Sequence, residues 1–213
     1  MTFLTAQGRV EVICGPMFSG KTEELIRRVR RAQIARQKIQ IFKPQVDTRY
    51  DERKVVSHSD QIIESEPVAD SLTLLMNVKD STRIVAIDEV QFFDEQISLV
   101  VSKLATRGIR VICAGLDLDY QGRPFGPIPL LLALADEVVK VHAICTICGA
   151  PATRSQRLNP DKKQQFHLGE TDEYQARCLA HFEPPHQDQM ENSQSLPLKC
   201  EVENFIKNQD SPQ

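Results

Sequence analysis

Apolar residues fall in short unbroken runs along the first two-thirds of the chain, and between the runs they recur at helical spacing. Runs rich in Val and Ile occupy residues 9–14, 39–43, 84–88, 110–115 and 137–143. Continuous rather than alternating apolar character predicts strands buried on both faces. Helical candidates cover 22–37, 69–77, 94–107 and 127–135. In the first, Leu25, Val29, Ala32 and Ala35 or Arg36 share a face, and Arg27, Arg28, Arg30 and Arg31 are expected on the solvated remainder or at a subunit contact. Strands alternating with helices predict an α/β domain with a parallel sheet and right-handed crossovers. Residues 44–66 are polar and aperiodic, which predicts a long mobile loop, and loops of that length are often functional.

The sharpest local pattern follows the first strand. Gly15-Pro16-Met17-Phe18-Ser19-Gly20-Lys21-Thr22 satisfies the Gly-x4-Gly-Lys-Ser/Thr spacing of a phosphate-cradling loop and lies between a strand and a helix, as that motif requires. Gly15 and Gly20 allow backbone angles that turn N–H groups toward phosphate oxygens, and the helix start adds partial positive charge. Lys21 is placed to reach β- and γ-phosphates, and the Thr22 hydroxyl to bind Mg2+. The chain is therefore expected to bind a nucleoside triphosphate.

The strand over 84–88 ends in Asp88-Glu89. A carboxylate at such a strand end holds Mg2+ in phosphate-loop NTPases, a role that suits Asp88. Glu89 is then available as the base that takes a proton from a hydroxyl nucleophile. Two other readings stay open: an ATPase carboxylate that orients water, and simple capping of the next helix.

Cys145-x-x-Cys148 and Cys178-x-x-His181 form two ligand pairs separated by 29 residues. Thiolates and an imidazole in that number suit tetrahedral Zn2+, closed by four protein ligands and therefore structural. A redox reading of the first pair leaves Cys178 and His181 unexplained. Cys14, Cys113 and Cys200 read as two strand residues and a tail residue. His58, His142, His167 and His186 carry no catalytic role on this evidence.

The chain has 213 residues, a formal net charge of -3 and 41% apolar residues, enough for a sizeable core. The charge offers no global attraction to nucleic acid or an anionic membrane. MTFLTAQGRVEV has neither basic nor apolar leader character, no run approaches a spanning helix, and cysteine used for metal ligation fits a reducing cytoplasm. Residues 183–213 hold four prolines and six acidic residues against two lysines, which predicts a disordered acidic tail. The expected domains are thus 1–143 for nucleotide binding, 144–182 around zinc, and the tail.

In this order the pieces resemble the type II thymidine kinases, the cytosolic, zinc-bearing family. The likeness runs from about Arg9 to Phe182. Its motifs are GPMFSGKT, Asp47-Thr48-Arg49-Tyr50, IDEVQFF, Leu116-Asp117 through Gln121, Arg123-Pro124-Phe125-Gly126, and the zinc pairs with Gly169 and Tyr174 between them. The resemblance implies a RecA-like P-loop NTPase fold with helices on both sheet faces and a small zinc-binding lasso. It also implies transfer of the γ-phosphate of ATP to the 5′-hydroxyl of thymidine, deoxyuridine as a poorer substrate, a homotetramer, and feedback inhibition by dTTP.

By position, the resemblance implies Glu89 as general base, Asp88 as metal carboxylate and Gln91 beside the phosphates. Asp47 and Arg49 match loop residues that assist metal and phosphates. Met17, Phe92, Leu116, Tyr120, Phe125 and Ser155 match positions around thymidine. Gln165, His167 and Gly169 fall in the lasso, whose backbone meets the base edge, and Tyr174 closes over sugar and base. Val90 replaces the family's glycine or cysteine and Tyr120 its phenylalanine; both changes are conservative. Asp88-Glu89-Val90-Gln91 also matches a helicase DExQ box, so a nucleic-acid-dependent ATPase is the competing reading. Against it stand the single nucleotide domain, the negative charge and the lack of a basic, aromatic-interleaved stretch. A nucleotide sensor that binds without turnover is the third.

Overall fold

A computed structural model describes residues 8–46, 54–56, 62–158 and 173–184. Six strands form one sheet in the order β5-β2-β6-β7-β1-β8, and every neighbouring pair is parallel. They are β1 (Arg9–Cys14), β2 (Ile39–Pro44), β5 (Glu66–Val68), β6 (Ile84–Ile87), β7 (Arg110–Gly115) and β8 (Glu137–Lys140). The five strands anticipated from apolar runs are all present, with ends shifted by at most a few residues.

Period-2 alternation divides the sheet into two buried faces. Ile13, Ile84, Ala86, Ile112 and Ala114 pack with Leu25, Val29 and Ala32 of α1 (Lys21–Ile34). Val10, Val12, Val85, Ile87 and Val111 point the other way, toward α2 (Ser71–Asn77), α3 (Ile97–Thr106) and α4 (Ile128–Leu134). Helices therefore cover both faces, as a parallel sheet requires.

Four local expectations are corrected. Helix α1 stops at Ile34, and Arg36 turns the chain at φ 55°, so Ala35 and Arg36 are exposed rather than on the core face. Arg28 is not on the solvated face: it is buried and bonded to Glu11, Glu24 and Glu137. Helix α3 starts at Ile97, because Asp94 accepts bonds from Ser71 N at 2.9 Å and Gln96 N at 3.0 Å and is held outside the helix. The segment 44–66 contains an antiparallel pair, β3 (Lys54–Val56) with β4 (Ile62–Glu64), and runs into edge strand β5.

Beyond β8 the chain forms short antiparallel ladders, β9 (Ala143–Ile144) with β10 (Pro151–Ala152), and β11 (Arg154–Arg157) with β12 (Tyr174–Arg177). Among the described residues, Ala143, Cys145, Ala152 and Ala176 form a small core there, with Phe18 and Cys178 packed against it. The acidic tail lies outside the described residues beyond 184.

Candidate active site and metal centre

The loop after β1 and the start of α1 form a phosphate-type cradle at the C-terminal edge of the sheet. Gly15 sits at φ 147°, where a side chain would meet Val141 O at 2.2 Å. Gly20 at φ 83° leads directly into α1. Ser19 Oγ and Lys21 Nζ both donate to Pro16 O, at 2.7 and 2.6 Å, tying the loop across itself. Phe18 adopts φ 62° and packs against the alanine-rich cluster beyond β8. Met17 N donates to Ser155 Oγ at 2.9 Å, so the loop is joined to β11.

Asp88 and Glu89 leave the end of β6. Asp88 is buried, and Thr22 Oγ1 donates to its Oδ2 at 3.5 Å. A hydroxyl and a carboxylate are hard oxygen donors, and two ligands side by side on octahedral Mg2+ stand about 3 Å apart, so the pair suits that ion. Glu89 is left-handed at φ 50° and ψ 40°, which turns the chain into the short 3-10 segment Val90–Phe92. Glu89, Lys21, Thr22, Met17 and Leu116 line one pocket of about 50 Å³. Gln91 Nε2 donates to Glu89 Oε2 at 2.5 Å. Phe92 meets the Phe125 ring edge-on, centroids 5.7 Å apart.

The turn after β7 brings in further predicted residues. Asp119 accepts from Gln121 N at 2.8 Å and Arg123 N at 2.9 Å, closing the loop that carries Tyr120 and Phe125. Arg157 of β11 lies over the Tyr120 ring at 5.1 Å, and Tyr174 pairs with Arg157 across the ladder. Ser155 and Tyr174 are both buried. Asp47, Arg49, Gln165, His167 and Gly169 lie outside the described residues.

The sequence reading missed one charged pair here. Lys140 Nζ meets Asp117 Oδ2 at 2.7 Å, joining the ends of β8 and β7 on either side of β1. The signal was a cation at the last position of one strand and a carboxylate two residues beyond the end of another, which becomes informative only when both strands are known to flank β1. Burial, with the Asp117 charge next, raises the thiol pKa of Cys14; burial pushes that of Cys113 to about 12. Both stay protonated and agree with a packing role. His142 is exposed.

The second site gathers Cys145, Cys148, Cys178 and His181, whose ligand atoms lie within 4.8 Å of one another. A tetrahedron with Zn–S of about 2.3 Å and Zn–N of about 2.05 Å has S···S edges of about 3.8 Å and S···N edges of about 3.6 Å. Cys148 and Cys178 Sγ atoms are 3.8 Å apart, and His181 Nδ1 is 3.2 Å from Cys178 Sγ and 3.8 Å from Cys145 Sγ. The donor set and its spacing suit zinc. Gly149, at φ 73° with its N–H on Cys145 O at 2.9 Å, closes the knuckle turn. Backbone N–H groups, that of Cys178 foremost, bring the Cys145 thiol down to about 5, which favours the ligating thiolate.

Comparison with known proteins agrees with this geometry. The sequence profile of the thymidine kinase family matches residues 8–182. This chain belongs to the thymidine kinase family. It is similar to the thymidine kinase of Rhodothermus sp. (strain ITI 518), 54% identical over 178 residues that cover 84% of this chain and 83% of the relative. It is also similar to the thymidine kinase of Bdellovibrio bacteriovorus, 50% identical over 183 residues, 86% of this chain and 89% of the relative. Both phosphate loop and four-ligand cluster fall inside the stretch matched by the thymidine kinase profile. Among the described residues no helix is long and apolar enough to cross a membrane.

Proposed function

We propose that this thymidine kinase transfers the γ-phosphoryl group of ATP to the 5′-hydroxyl of thymidine, with Glu89 as general base. The observation that carries the reading is one pocket lined by the phosphate loop, Glu89 and Leu116. Backbone N–H groups of the loop hold the phosphates, and the flexible Lys21 stem swings from Pro16 O to the β- and γ-oxygens. Thr22 and Asp88 hold Mg2+, which when bound offsets phosphate charge. Glu89 takes the hydroxyl proton as the new O–P bond forms and the bond to the β-phosphate oxygen breaks. Asp47 and Arg49 assist at the phosphates.

Met17, Phe92, Leu116, Tyr120 and Phe125 give an apolar surround for thymine, with Ser155 and Tyr174 facing it from the zinc unit. Gln165, His167 and Gly169 supply backbone contacts to the base. One methyl group is worth about 1–3 kcal/mol, so deoxyuridine is a poorer substrate rather than an excluded one. Zinc on Cys145, Cys148, Cys178 and His181 is structural and staples residues 144–182, next to a nucleotide domain over 1–143. A cytoplasmic homotetramer inhibited by dTTP completes the proposal.

Purified chain is assayed with ATP, Mg2+ and a panel of nucleosides, alongside Glu89→Gln. Phosphorylation of thymidine ahead of deoxyuridine is expected, with the variant slower by about two to four powers of ten and ATP affinity nearly unchanged. Turnover that responds to single-stranded DNA and not to thymidine supports the helicase-like reading instead, and an undiminished rate removes Glu89 from the base role.

A further inference from the structure

The side chain of Gln91, which the resemblance implies lies beside the phosphates, makes two hydrogen bonds, to Glu89 and to Leu116 N. The residue is 3% exposed. Its amide nitrogen donates to Glu89 Oε2 at 2.5 Å, and its amide oxygen accepts from Leu116 N at 3.1 Å. The second bond fixes which end of the amide faces which partner: an oxygen is required toward a backbone N–H, so the NH2 group must face the carboxylate. The first bond lies within the turn after β6, and the second joins that turn to the end of β7.

The backbone around Gln91 is shaped for this placement. A side chain on Gly115 would come within 2.6 Å of Gln91 Oε1 and 3.0 Å of Ile128 and Val90 side-chain carbons. A side chain on Gly126 would come within 2.5 Å of Gln91 O. Two glycines from two different segments thus leave room for one glutamine. The αL turn at Glu89 brings residues 89 and 91 to the same side of the short 3-10 segment.

We infer that Gln91 is a positioning residue for the phosphoryl-transfer base: it clamps one carboxylate oxygen of Glu89 and is itself oriented by Leu116 N–H. This rests on the proposal that Glu89 is the base. The clamp ties the base to the same backbone amide that begins the Leu116–Phe125 wall of the nucleoside pocket. Movement of that wall therefore moves the base with it. Proper aim of a general base over a few tenths of an ångström is worth one to two powers of ten in rate, since a misplacement of about 1 Å can cost about a hundredfold.

The test uses two substitutions and a double-mutant cycle on full-length protein. Gln91→Glu keeps the length, the shape and an acceptor for Leu116 N–H, but sets a second carboxylate against Glu89. Gln91→Leu removes both bonds. A purely structural role predicts both variants impaired through stability alone, with kcat per folded molecule near wild type. Positioning predicts kcat down by about ten- to a hundredfold in both, with KM for ATP and thymidine within about twofold. In a Glu89→Gln background the same substitutions should cost little further, because the group they position has already lost its function.

Gln91→Glu with wild-type kcat overturns the inference, as does a full additional loss in the Glu89→Gln background. A tenfold rise in KM for ATP with kcat intact also overturns it and returns Gln91 to the nucleotide. Should Gln91→Leu fail to fold, Gln91→Glu and the cycle built on it decide. Glu89→Gln alone at full rate sinks the base reading; Glu89→Gln impaired beside an active Gln91→Glu sinks only this inference.

Discussion

Replacing Glu11 by Gln removes one negative charge from the centre of β1 while preserving volume. Glu11 is fully buried, and three guanidinium groups converge on it. Arg110 donates from Nε at 2.6 Å and Nη2 at 2.8 Å, Arg9 Nε lies at 2.7 Å, and Arg28 Nη1 makes a further close contact. Arg9 is half exposed and its pair is discounted for solvent screening. Arg28 and Arg110 carry the effect, with side-chain exposures of 8% and 26%. Removing one partner of a buried pair costs about 3–5 kcal/mol, because the remaining charge stays desolvated. Gln keeps the volume, so no cavity adds to that figure. At about 2–4 °C per kcal/mol for a chain of this size, the midpoint of melting should fall by about 6–20 °C. The pH dependence supplies a second signature. Burial raises the carboxyl pKa, but the hydrogen bonds from Arg110 and Arg28 outweigh it and hold it below its usual 4.5. A depressed folded pKa means stability fully present above about 4.5 and lost as pH falls through the folded value. Circular-dichroism melts of wild type and Glu11→Gln should therefore differ at pH 7 and draw together at pH 3. Midpoints within 2 °C of each other at pH 7, or a gap unchanged down to pH 3, would refute the reasoning.

Two further substitutions probe the loop and the metal unit. Gly15→Ala demands a side chain at φ 147° and 2.2 Å from Val141 O, so the phosphate loop must shift; ATP affinity should drop at least about tenfold. Gly149→Ala, at φ 73° with nothing within 4 Å, should cost only the left-handed backbone term of about 1–2 kcal/mol; equal ATP affinities in the two variants would show that the close approach at Gly15 is unimportant. Cys148→Ser should take bound zinc, read by elemental analysis, from one per chain to almost none, and amide protection across 143–158 and 173–184 should fall with it. A metal-replete, fully protected variant would remove Cys148 from the ligand set.

The sheet was legible in sequence because its central strands are buried on both faces and so read as unbroken Val/Ile runs. β5 was not, since Glu66-Pro67-Val68 is three residues with a proline, a pattern tolerated only at an edge, where one flank needs no partner. Arg28 was misplaced for a related reason. Nothing local marks it as buried; its partner Glu11 sits 17 residues away inside an apolar run, and their meeting depends on α1 lying over β1. The candidate site divides the same way. Lys21 and Thr22 sit at fixed spacing on one turn, and the gathering of Cys145, Cys148, Cys178 and His181 follows from two pairs of fixed two-residue spacing. The bridging of Gln91 to Leu116 N and the Lys140–Asp117 pair needed tertiary neighbours 25 residues or a strand apart.

Sheet order explains why these groups meet where they do. From β1 the chain crosses to β2 over one face through α1, whereas from β7 it crosses to β8 over the other through α4. Crossovers diverging to opposite sides leave a crevice at the carboxyl ends of the strands between them. The loop after β1, Asp88 after β6 and Leu116 after β7 all open into it. β8 then feeds β9 within three residues, so the zinc unit hangs at the flank of that crevice, tied to the loop by Met17 N and Ser155 Oγ. Metal bound by Cys145, Cys148, Cys178 and His181 would add folding free energy to these short ladders, as closed zinc sites do. Ligation there would hold β11 and β12, so metal removal should loosen Ser155, Arg157 and Tyr174, which those strands carry.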